Sequence, residues 1–97
     1  MAQAPLHEAR ALHEALALLA ARDWQAAHGI VQEQEGPLAA WAHGIVHLVE
    51  DDLSNARYWY ERAGRPFPAG RGGEAVIDAE LAALAARLGG GLVPPGR

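Results

Sequence analysis

At 97 residues with a net charge of −4, the chain is long enough for one domain, and a domain of this size buries roughly 60 to 65% of its unfolded surface. All eight basic residues are arginine and they form no stripe for neutralising phosphates, so nucleic acid is excluded as a partner. Without cysteine there is neither a disulfide framework nor a thiolate zinc site, so packing alone must hold the fold, and a reducing cytoplasm suits it.

No run approaches the ~20 apolar residues of a membrane span. The stretch 11–21 is interrupted by His13 and Glu14 and lacks a preceding basic segment, so neither export nor membrane insertion is expected. Alanine makes up much of the hydrophobic half of the composition, which leaves Trp24, Trp41, Trp59, Tyr58, Tyr60 and Phe67 as the large anchors among scattered Leu, Ile and Val.

In chain order, Pro5 suits a first helical turn, and Leu12, Leu16 and Leu19 recur at i, i+4, i+7, predicting a helix over 6–21. Asp23 reads as the N-cap of a second helix over 24–35, with Trp24, Ala27, His28 and Val31 on one face and Gly36-Pro37 as its end. A third helix over 38–50 carries Leu38, Trp41, Ile45, Leu48 and Val49 together. Asp52 caps a fourth over 53–63, whose inner face is Ala56, Trp59, Tyr60 and Ala63 and whose stop is Gly64.

Residues 65–73 hold two Pro and three Gly and read as a loop pinned by Phe67, with Arg71 among glycines in a flexible stretch rather than an anion nest. A fifth helix over 74–88 repeats Ile77, Leu81, Leu84 and Leu88 at heptad-like spacing. The Gly- and Pro-rich residues 89–97 are expected to be a disordered tail after a single domain over 1–88.

An internal repeat runs through this order. Ala21-Arg22-Asp23-Trp24 and Glu50-Asp51-Asp52-Leu53 share a turn with Asp at the start of the next helix, and Ala27 and Ala56 follow each Asp by four. Gly44, Asp52, Ala56, Tyr60, Ala63 and Pro68 fall at the small, turn, small, aromatic, small and terminating positions of a tetratricopeptide repeat, which residues 40–68 resemble. The resemblance implies antiparallel helical hairpins packed as a small right-handed all-α bundle, with one and a half repeats closed by the first and fifth helices. The segment 41–64 also resembles a group of small bacterial helical proteins with no assigned activity. They usually carry Gly where this chain has Asp51, a position where Asp is tolerated at some strain. A GC-rich bacterial source fits the Ala-rich, Lys-free composition.

One polar constellation stands out. Ala-His-Gly-Ile-Val occurs at both 27–31 and 42–46, and a hairpin folded about residue 36 brings His28 towards His43 and Gly29 towards Gly44. A mid-helix Gly costs roughly 1 kcal/mol relative to Ala, so the pair predicts a close approach of the two helix backbones. His43, His47 and Glu50 share one stripe of the third helix at i, i+4 and i+7. The tetratricopeptide register implies that His43 and His47 turn inward near Ala56 and Tyr60, where Tyr60, Asn55, Glu50 or one another must satisfy them.

Three readings of this cluster follow. His28, His43 and His47 could ligate a divalent metal with Glu50 as a fourth ligand or a base, the same groups with Tyr60 could form a ligand pocket or acid–base pair, or the histidines could simply satisfy one another in the core. No other cofactor is indicated. The Trp residues read as core, Arg57 with Glu61 and Tyr58 with Arg62 as surface pairs, and His7 and His13 as exposed.

The leading functional expectation is a cytoplasmic tetratricopeptide-like interaction module with a protein partner or self-association, enzymatic activity being left open. Its surface is either the concave face of the first and third helices or the stripe Ile77, Leu81, Leu84 and Leu88. The alternative is a ligand- or metal-binding protein, open to catalysis, centred on His28, His43, His47, Glu50 and Tyr60.

Overall fold

The computed structural model describes residues 3–70 and 73–89, and among these the chain is all-α: α1 (Gln3–Ala20), α2 (Trp24–Val31), α3 (Pro37–Glu50), α4 (Leu53–Ala63) and α5 (Glu74–Leu88). Arg71 and the tail 90–97 lie outside the described residues. The fourth and fifth helices have the expected bounds, while α1 starts three residues early and α2 stops four residues short of residue 35. After Val31 the N–H groups of Glu33 and Gln34 turn to the carbonyls of Ile30 and Val31, three residues back, which tightens the chain towards Gly36. Residues 32–35 are all Gln or Glu, so further helix would bury no apolar surface and would set acids against the negative end of the dipole.

The sequence repeat is a repeat of turn geometry. Arg22 and Asp51 both take the left-handed conformation, with φ of 66° and 69°, just past the ends of α1 and α3. In each case the next N–H reaches back to a carbonyl inside the helix, Asp23 to Leu18 and Asp52 to His47. That next residue then caps the following helix: Asp23 accepts from Ala26 N–H at 3.2 Å and Asp52 from Asn55 N–H at 3.3 Å. Gly64 closes α4 by the same pattern, with Arg65 N–H on the Tyr60 carbonyl.

Around these turns α3 becomes the central element, packed by α1, α2, α4 and α5. Every residue from Ala39 to Leu48 is buried, so among the described residues the middle of α3 lies inside the domain and not on an open concave face shared with α1. Leu12, Leu19, Val31, Ile45, Val46, Leu48, Tyr60 and Leu84 are the largest fully buried side chains, each of the aliphatic ones worth about 1.5 to 3 kcal/mol of burial.

The α5 stripe also lies inside. Ile77, Leu81 and Leu84 are 3%, 9% and 0% exposed, and Leu88 packs partly against the same core, so the proposed contact surface is consumed by the domain itself. A core short of large side chains draws in every leucine it can reach.

The two glycines do not face each other. A Cβ on Gly44 would stand 2.5 Å from Tyr60 Cδ1 and 3.5 Å from the Ala56 carbonyl oxygen, so the close approach joins α3 to α4. A Cβ on Gly29 would meet nothing within 4 Å.

Candidate functional site: a histidine cluster between α2, α3 and α4

Folding α2 back on α3 brings His28 and His43 into hydrogen-bond contact, with their Nε2 atoms 3.0 Å apart. One helical turn on, His47 stacks on His43 with ring centroids 5.2 Å apart and lies 5.5 Å from His28. One ring nitrogen from each of the three lies within 4.8 Å of the others. His43 and His47 are buried and His28 is half-buried.

From α4, Trp59 covers the cluster, its ring parallel to His43 at 3.8 Å and 5°. The inner-face expectation for Trp59 is thus corrected in kind: it is half-buried and packs on an imidazole, whereas Trp41 is a core residue.

Burial in this apolar wall, reinforced by His28 and His47, pushes His43 down to about 4, so it is a neutral lone-pair donor at physiological pH. His47 Nδ1 lies 2.8 Å from Glu50 Oε1, the i, i+3 partner that the stripe supplied. A carboxylate accepts only, so Nδ1 is the donor of this bond. Asp52 forms a further group with His47 and Glu50, but both its oxygens accept from Asn55, which assigns it to the turn.

Tyr60 is not part of the cluster. Its hydroxyl donates to Glu80 Oε1 at 2.6 Å on another side of α3, where Trp41 Nε1 at 2.9 Å and Arg65 Nε at 3.0 Å donate to the same oxygen. Arg65 Nη2 donates to Oε2 at 2.9 Å, and its guanidinium lies 3.8 Å from the Trp41 ring centre. Burial and the Glu80 bond push the Tyr60 phenol far above its usual range. For Glu80, burial raises the carboxyl, but the bonds from Arg65, Tyr60 and Trp41 outweigh it and hold the group below the ordinary glutamate value. Glu80 was missed in the sequence, although it carried a signal: an acid at i+3 from Ile77 and i−4 from Leu84 sits on the apolar stripe.

His7 is exposed as expected, but His13 is half-buried and its Nε2 has no hydrogen-bond partner. Arg62 Nη1 reaches the Tyr58 hydroxyl at 3.5 Å, while Arg57 stacks over Phe67 at 4.3 Å and makes no ion pair with Glu61 among the described residues. The cluster opens through His43 onto a groove of about 720 Å³ whose wall includes Trp59, Arg62, Gln32, Gln34 and Glu35. No protein-family model matches the chain, and no curated protein and no solved structure matches it either.

Proposed function

We propose that the protein binds a divalent transition-metal ion of the zinc type through His28, His43 and His47. The observation that carries this reading is the convergence of three imidazole nitrogens within 4.8 Å of one another. Metal–nitrogen bonds of about 2.0 to 2.1 Å put two ligand nitrogens of a tetrahedron roughly 3.3 Å apart, close to the His28–His43 separation. Glu50 supplies the outer-shell carboxylate that fixes the tautomer of a ligating histidine. A three-histidine set leaves a fourth position open, the arrangement of sites that bind or activate an exogenous ligand. Soft ions that favour thiolate ligands, such as Cu(I), are disfavoured by the all-nitrogen donor set.

Elemental analysis of untagged protein is expected to find one metal per chain, and saturating Zn²⁺ should raise the melting temperature. At a hundredfold excess over Kd the stabilisation is about 2.7 kcal/mol, which is about 10 to 20 °C for a domain of this size. His43→Ala and His47→Ala should abolish the shift. Substoichiometric metal together with unshifted melts would overturn the reading and leave the three imidazoles as mutually satisfied core groups.

A second reading, a cytoplasmic tetratricopeptide-like interaction module, draws support from the repeated left-handed turn and aspartate cap at Arg22-Asp23 and Asp51-Asp52. Its remaining outward apolar anchor among the described residues is Tyr58, 51% exposed.

A further inference from the structure

The groove beside the histidines has a chemistry of its own. Its one cation among the described residues is Arg62, an exposed residue of α4 whose guanidinium lies over the faces of Tyr58 and Trp59, at 5.7 and 5.3 Å. Arg22 and Arg65 are each paired with acids, but Arg62 has no carboxylate partner among the described residues. Trp59 links it to the cluster, because the same indole that carries the guanidinium is stacked on His43.

We infer that this groove takes a small organic monocarboxylate, gripped by Arg62 and reaching the open position of a metal held by the histidines. The inference rests on the metal reading above. A planar guanidinium fork matches a carboxylate with two parallel hydrogen bonds, and carboxylate oxygen is an ordinary fourth ligand for zinc beside nitrogen. The lining selects a single carboxylate. Glu35 lines it along with Arg62, so a second carboxylate on the ligand would be repelled by the groove wall. Gln32 and Gln34 add neutral amide donors that suit a second polar group on the same molecule. Trp59 gives the wall a flat apolar surface for its carbon skeleton.

The test uses the full chain loaded with Co²⁺, whose visible absorption bands report the ligands around the ion, with acetate as the probe. Acetate should shift the bands saturably. In Arg62→Ala the acetate dissociation constant should rise about tenfold or more while Co²⁺ affinity holds, and Arg62→Lys, which keeps charge without the fork, should fall between. Helical circular dichroism of the variants, at an exposed position, checks that the fold is kept. Bands that ignore acetate, or that respond equally in Arg62→Ala, would overturn the carboxylate site and leave the metal site standing. Failure to bind Co²⁺ at all would overturn both.

Discussion

Two glycines in identical pentapeptides have opposite consequences because of what each faces. At Gly44 a methyl group would strike the Tyr60 ring, and that ring cannot retreat while its hydroxyl is bound to Glu80. Gly44→Ala should therefore cost about 2 kcal/mol, the overpacking of a tight helix contact exceeding the gain in helix propensity. Gly29 is exposed and its methyl would enter open space, so Gly29→Ala should stabilise the protein by up to about 1 kcal/mol. Urea unfolding of the two variants measures both. Equal effects would mean that the helices do not approach as described. The sequence marked both glycines but could not say which neighbour each would meet, because repetition in a sequence specifies local conformation and not the surroundings of a helix face.

Turns and helices were legible in unequal measure. Asp23 and Asp52 announce their caps, Gly64 its stop, and the bounds of α4 follow from these signals alone. The destination of α5 did not, since a heptad-like stripe is compatible with an outer seam or an inner packing face, and the choice depends on whether the other helices leave a gap. The hairpin turns carry a stored cost that can be removed. Asp51 stands in the left-handed region, where glycine has no Cβ penalty, so Asp51→Gly should raise stability by about 0.5 to 1 kcal/mol. Arg22→Gly should gain less from the same relief, because Arg22 also holds Glu74 and Asp78 at 3.1 and 3.0 Å across to α5. Thermal melts of the two variants should separate accordingly, and a destabilised Asp51→Gly would refute the strain at that turn.

For the molecule as a whole, the histidine cluster was readable because a short α2–α3 connection fixes which residues oppose each other, so His28 and His43 could be paired from numbering alone. The Glu80 cluster was not, since Trp41, Tyr60, Arg65 and Glu80 come from α3, α4, a loop and α5 and meet only when every helix is placed. That cluster gives global stability an acid dependence. The Glu80 carboxyl titrates lower in the folded chain than the ordinary value of 4.5, so the unfolded chain takes up the proton first. The stabilisation is complete above about pH 4.5 and is lost as pH falls through the folded value. Glu80→Gln should be less stable than the parent by about 1 to 3 kcal/mol at pH 7, and the gap should narrow at pH 3.5 in denaturant titrations. A gap independent of pH would show that the charge contributes nothing. The position of this acid in the chain also orders events during synthesis. Trp41, Tyr60 and Arg65 leave the ribosome before the carboxylate that receives their hydrogen bonds, so the first four helices emerge with these three donors unanswered by Glu80. The fold therefore completes its polar interior only when α5 arrives.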